Sequence, residues 1–194
     1  TLAGLGIDFS KMITATDGDN DPLMIALPDG SFAIDVEDDV PEAREIGQRP
    51  WVSNQVDEDE LPAGIGDGDG VNTVASGGAG ALYAAINFGA DGPGTIGLSN
   101  SPAGIAAMEA QGLTSGGVAL SFAVVGNLLT ATAGAEPIFT LQVNPDGSYT
   151  FTLLGPLDHP VADGSPAGGH EQRGSPIDSS ALFTATDGDN DPLS

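Results

Sequence analysis

Cysteine is absent from these 194 residues, so no disulfide staples the chain and no thiol does chemistry in it. Basic residues are nearly as scarce. Lys11, Arg44, Arg49 and Arg173 stand against 28 acids, for a net charge of −24. So few cations cannot neutralise a phosphate backbone or an anionic lipid surface, which argues against nucleic acid and against a membrane as partners. No apolar run approaches the roughly 20 residues of a spanning helix, and no signal-peptide pattern opens the chain.

Acid without base favours bound cations, and in a secreted chain without disulfides metal ions are the obvious staple. Strong acidity also suits a disordered chain, but 40% of the residues are hydrophobic and they fall in patterned runs, which predicts a folded core. The length suits one sizeable domain, or one domain and part of a neighbour. The 29 glycines and 14 prolines, many beside Asp or Asn, supply the turn chemistry of an all-β protein.

One stretch, ThrAspGlyAspAsnAspProLeu, occurs twice, at 16–23 and at 186–193, preceded by IleThrAla in one copy and PheThrAla in the other. A long-period internal repeat of this kind marks repeated architecture. Asp17, Asp19 and Asp21 alternate with small or turn-forming residues, as do Asp187, Asp189 and Asp191. Carboxylates at i, i+2 and i+4 of a loop can converge on one centre, as a hard cation such as Ca²⁺ requires. An EF-hand is excluded, because the twelfth position counted from Asp17 is Pro28 rather than a bidentate Glu, and no helix flanks the loop. Because the chain begins and ends near equivalent copies of one motif, it is expected to be a piece of a longer repetitive protein.

Along the chain, 22–36 reads as a hairpin, Leu23–Leu27 pairing across ProAspGly with Ser31–Val36. The segment 42–56 is weakly patterned and holds Arg44, Arg49 and Trp51. A strand is expected over Leu82–Phe88, with Leu82, Ala84, Ile86 and Phe88 on one face. A modest helix is expected within 101–113, where Ile105, Met108 and Gln111 fall at helical spacing and Gly112 can end it. Two hairpins follow: Val118–Val125 with Leu128–Thr132 across GlyAsn, and Ile138–Val143 with Ser148–Leu154 across AsnProAspGly. In the second, Phe139, Leu141 and Val143 face Tyr149, Phe151 and Leu153. A polar loop with Asp158, His159, Asp163 and His170 precedes a strand over Ser180–Thr186. Short strands at this spacing predict a β-sandwich.

Further acidic clusters are candidate ligands. Asp35, Glu37, Asp38 and Asp39 end one predicted module, and Asp57, Glu58 and Asp59 open the next. Two such clusters across a junction repel unless a divalent ion lies between them; solvated edges that discourage aggregation are the plainer reading. Asp67 and Asp69 lie in GlyIleGlyAspGlyAspGlyValAsn, one imperfect copy of a nonapeptide calcium repeat, too little for a β-roll but enough for a loop site. Asp91, in GlyAlaAspGlyProGly, is counted with the candidate ligands. Catalysis has little support, since LeuAspHisPro at 157–160 has no nucleophile elbow or cysteine beside it. Asp158 there reads as a residue that fixes a loop.

Several of these segments resemble a known family. AspAspValPro (38–41), ValAspGluAsp (56–59), GlyAlaAspGlyProGly (89–94), the hairpin IlePheThrLeuGlnValAsnProAspGlySerTyrThrPheThrLeu (138–153), LeuAspHisPro (157–160) and AlaThrAspGlyAspAsnAsp (185–191) occur in the order of the long tandem repeat of giant type I-secreted RTX adhesins. The resemblance implies an Ig-like β-sandwich that binds Ca²⁺ in loops and at module junctions. It also implies a stiff extender in a large bacterial surface adhesin, outside the cell. Residues 1–40 are then the closing strands of a preceding repeat, or a hairpin completing the sandwich in cis or in a strand-swapped homodimer; 41–50 is a linker and 51–194 the module. Neighbouring repeat modules are the expected partners. The rival expectation is a split or ligand-binding module that contacts a sugar or peptide.

Overall fold

The computed structural model describes residues 5–22, 27–36, 40–43, 52, 54–64, 70–158 and 176–193. The chain divides into two compact units, Thr1–Asp39 and Val40–Ser194. Strands predominate in both, and among the described residues there is one α-helix.

In the first unit, β1 (Leu5–Asp8) pairs antiparallel with β2 (Ala33–Val36), with Ile7 opposite Ile34 and Gly6 opposite Asp35. The Asp8 carboxylate explains the pairing, because it accepts the amides of both Ser10 (2.8 Å) and Gly30 (3.0 Å). The buried Ser10 hydroxyl in turn accepts the Phe32 amide (3.0 Å), and the Phe9 and Phe32 rings lie 5.6 Å apart. The ProAspGly turn is present, closed by the Ser31 amide on the Pro28 carbonyl. Over the described residues β2 pairs with β1; residues 23–26, most of the strand expected to pair with 31–36, lie outside those described.

The second unit opens with β3 (Glu42–Ala43), β4 (Val74–Gly77), β5 (Ile86–Asn87) and β6 (Pro93–Leu98), then α1 (Pro102–Glu109). It continues with β7 (Thr114–Ser115), β8 (Val118–Val125), β9 (Leu128–Ala133), β10 (Glu136–Val143), β11 (Tyr149–Leu153) and β12 (Phe183–Asp187). Six strands form one antiparallel sheet in the order β4-β11-β10-β9-β8-β7, while β12 pairs with β6 and β3 with β5. The first two residues of the expected linker that are in strand, Glu42 and Ala43, therefore belong to a ladder of this unit.

The hairpins predicted over 118–132 and 138–154 both form, the second with its expected faces. Along β8 burial alternates, with Leu120, Phe122 and Val124 inward. In β10–β11 the register sets Phe139 opposite Leu153, Leu141 opposite Phe151 and Val143 opposite Tyr149. One irregularity breaks the period of two, since Ile138 and Phe139 are neighbours yet both buried. The register of β10 on β9 shifts between Pro137 and Phe139, and such a bulge turns two successive side chains to one face. The inward residues of the sheet join Ile96 and Leu98 of β6, Ala185 of β12, Met108 of α1 and Leu182 in a single core.

The helix at 102–109 matches its sequence signals. The Ser101 hydroxyl accepts the Gly104 amide (3.1 Å), a proline opens the first turn, and Gly112 takes a φ of +67° just past the end. Gln111 then clasps the backbone of Asp178, donating to its carbonyl (2.7 Å) and accepting its amide (2.9 Å).

The strand expected over 82–88 does not form. Ala81–Ala85 is a 3₁₀ turn and only Ile86–Asn87 is extended. AlaLeuTyrAlaAla lacks the β-branched residues that favour a strand. The Leu82 amide donates to Gly147 and that of Gly80, just before the segment, to Asp146, which ties it to the β10–β11 turn. Leu82, Ile86 and Phe88 still reach the core, so the periodicity marked burial but not conformation. Likewise Ser180–Leu182 is a 3₁₀ turn, and strand begins at Phe183.

Candidate metal centre

The repeated octapeptide folds the same way twice. Thr16 bridges Pro22 and Thr186 bridges Pro192. The Asp17 amide donates to the Asp21 carbonyl (3.0 Å), and Asp187 does the same to Asp191 (3.1 Å). The first carboxylate of each loop reaches across it, Asp17 Oδ1 accepting the Asp21 amide (2.9 Å) and Asp187 Oδ1 the Asp191 amide (2.8 Å). Asn20 and Asn190, at φ 80° and 81°, are the two non-glycine residues with positive φ among those described. Asparagine tolerates this left-handed turn better than most residues, so the loop shape follows from the local sequence.

Their surroundings differ. Asp17, Asp19 and Asp21 bring carboxylate oxygens within 4.8 Å of one another, all three residues being exposed. In the second copy the converging set is Asp91, Asp187 and Asp189, within the same limit, and Asp187 is 1% exposed. Asp187 is buried because it ends β12 on the inward side, two residues after the buried Ala185. Asp91 comes from a 3₁₀ turn at Gly89–Asp91, just before β6, the strand that pairs with β12.

Two glycines make that approach sterically feasible. A Cβ on Gly94 would overlap the Asp187 carbonyl, and one on Gly188 would overlap the Asp91 carbonyl. The 89–94 turn and the 187–191 loop thus meet backbone to backbone. Gly18, in the corresponding place of the first copy, has nothing within 4 Å of its Cβ position.

The electrostatics suit a cation. The neighbouring Asp19 side chain, and then the Asp21 amide, hold the Asp17 carboxyl below its ordinary range. Burial pushes the Asp187 carboxyl up, but the neighbouring Asp189 side chain and the amides of Asp191, Asp189 and Asn190 outweigh it, so its net shift is also downward. Both groups are therefore carboxylates at neutral pH, the form that ligates metal. Asp187 Oδ1 is occupied by the Asp191 amide, whereas Oδ2 is buried and meets no hydrogen-bond donor. A buried carboxylate oxygen without a donor is unfavourable. A cation held by Asp91, Asp187 and Asp189 would relieve it, and an all-oxygen donor set fits Ca²⁺ rather than a softer metal.

Asp191 is half-buried, outside the converging triad, and contributes its amide to the loop. Asp57, Glu58 and Asp59 lie on one turn, the Asp59 amide donating to Asp57 Oδ1 (2.9 Å). Asp35 sits in β2. Glu37, Asp38, Asp39, Asp67 and Asp69 fall outside the described residues, as do Arg49, Trp51, His159 and His170. Asp158 does fix a loop, since its two carboxylate oxygens accept the amides of Gly116 (2.9 Å) and Gly117 (2.7 Å) in the β7–β8 turn.

Sequence reasoning counted Asp91 as a candidate without connecting it to the 187–191 loop, and it missed the roles of Gly94 and Gly188. The available signal was glycine at both points of contact, in GlyProGly and in AspGlyAsp. Among the described residues no helix is long and apolar enough to cross a membrane. Comparison of the chain with known protein families, curated proteins and solved structures gives no match.

Proposed function

We propose that this chain is a calcium-binding structural module, an Ig-like β-sandwich that serves as an extender in a large extracellular bacterial adhesin. One observation carries the calcium reading. A loop repeated in sequence recurs in geometry, and in its second copy the buried Asp187 presents an unpartnered oxygen beside Asp91 and Asp189. The sandwich is supported by a single core shared between the six-stranded sheet and the β6–β12 pair. The adhesin assignment rests on the resemblance to RTX tandem repeats. When bound, Ca²⁺ would neutralise the clustered carboxylates and join the 89–94 turn to the end of β12.

Calcium that binds only the folded chain stabilises it by mass action, about 2.7 kcal/mol at 100 times Kd. For a unit of this size that raises Tm by roughly 5–10 °C. Melting the protein in CaCl₂ and in EGTA tests this. Equal melting temperatures, with no heat of binding in calorimetry, would refute the proposal.

A ligand-binding module is the second reading, favoured by a groove of about 350 Å³ beside the same loop, lined by residues that include Thr95, Asn127, Thr184, Thr186 and Pro192. Calcium-dependent hits on a glycan or peptide array would support it. An extender binds cations alone.

A further inference from the structure

The loop that opens the second unit carries a signal of its own. Val56 and Leu61 pack against the core and hold the segment between them in place. The Asp57 amide donates to the Asn72 carbonyl (3.1 Å), which docks the loop on the approach to β4. Leu61 and Gly64 then donate to Glu58 and Leu61, winding 58–64 back over the turn. A Cβ on Gly64 would overlap the Asp59 carbonyl, so the backbone closes tightly there.

Within this wrapping Asp57 is 8% exposed. Its Oδ1 accepts the Asp59 amide, but its Oδ2 is buried without a hydrogen-bond partner, and the Oδ2 of Asp59 is in the same condition. Glu58 is used differently, Oε1 accepting the Leu157 amide (2.7 Å). Among the described residues of this unit there is no lysine, arginine or histidine. Two buried carboxylate oxygens on one turn, with no donor and no basic side chain from the described residues, are unfavourable unless a cation meets both.

We propose that Asp57 and Asp59 form a divalent-cation site internal to the 40–194 unit, built from residues separate from the 187–191 loop and suited to a hard ion such as Ca²⁺. Its ligands come from a single turn, not from a pair of modules. Through Glu58 the occupied turn is fastened to Leu157, and through the neighbouring Asp158 to the β7–β8 turn. The site therefore braces the beginning of the unit against the loop after β11.

The test uses the full chain titrated with CaCl₂, with hydrogen exchange followed in peptides covering 54–64, 154–158 and 187–191. Calcium should slow exchange in all three in the wild type. Asp59→Asn should bind one Ca²⁺ fewer and lose the response at 54–64 and 154–158 while keeping it at 187–191. Asp187→Asn should do the reverse, which separates failure of this site from failure of the loop site. Asp57→Asn should resemble Asp59→Asn; if it fails to fold, Asp59→Asn decides, because it leaves the Asp57 hydrogen bond to the turn intact. An unchanged stoichiometry in Asp59→Asn, or no calcium response at 54–64 in the wild type, overturns the proposal.

Discussion

Gly18 and Gly188 hold the same place in two copies of one loop, yet a methyl group added to each meets different surroundings. At 188 it runs into the Asp91 carbonyl, and at 18 it meets open space. Gly188→Ala must therefore push the 89–94 turn off the loop, at a cost of about 1–3 kcal/mol for overpacking, and move Asp91 away from Asp187. We expect Gly188→Ala to lower both Tm and calcium affinity, and Gly18→Ala to leave both nearly unchanged, as melting curves and calorimetry on the two variants will read. A second residue-scale expectation concerns acid. The Ser148 hydroxyl, and then its amide, hold the Asp146 carboxyl below its ordinary value of 3.8 in the β10–β11 turn. A lowered folded-state pKa contributes stability that is present above the unfolded value and lost as pH falls through the folded one. Asp146→Asn should accordingly flatten the loss of stability below about pH 4 relative to wild type, measured by denaturation across pH. An unaltered acid limb would count against the hydrogen bonds as its cause.

Elements were legible where their signals are local. The β10–β11 hairpin follows from AsnProAspGly and a period of two over Phe139–Val143 and Tyr149–Leu153, and both are properties of neighbouring residues. The helix at 102–109 follows from a serine cap, a proline and a terminal glycine. Because Ser101 supplies the hydroxyl that receives the Gly104 amide, Ser101→Ala should cost about 1 kcal/mol, seen as a lower denaturation midpoint with an unchanged slope. The segment 81–88 failed as a strand where the Leu82 amide, and that of Gly80 just before it, are claimed by the turn at 146–147, some sixty residues on, and no local pattern reports that. Similarly β2 pairs with β1 because Asp8 gathers amides from both sides of the ladder, a choice that the spacing of Phe32, Ile34 and Val36 does not contain.

For the whole molecule, a charge of −24 without cysteine points to cations as the missing stabiliser, and composition alone carries that far. The shape of the metal loop was also written in the sequence, since asparagine in the left-handed region and aspartate accepting an amide four residues on are local interactions, and they recur in both copies. What distinguishes the two loops was not. Asp17 is exposed and Asp187 buried, because β12 pairs with β6 and brings the turn bearing Asp91 against the loop. The lone oxygens of Asp57 and Asp59 likewise depend on how 56–64 packs against the core and on Asn72. Identical octapeptides therefore have one conformation and two environments: backbone geometry is set by neighbours in sequence, whereas burial and the company of other carboxylates are set by residues far along the chain.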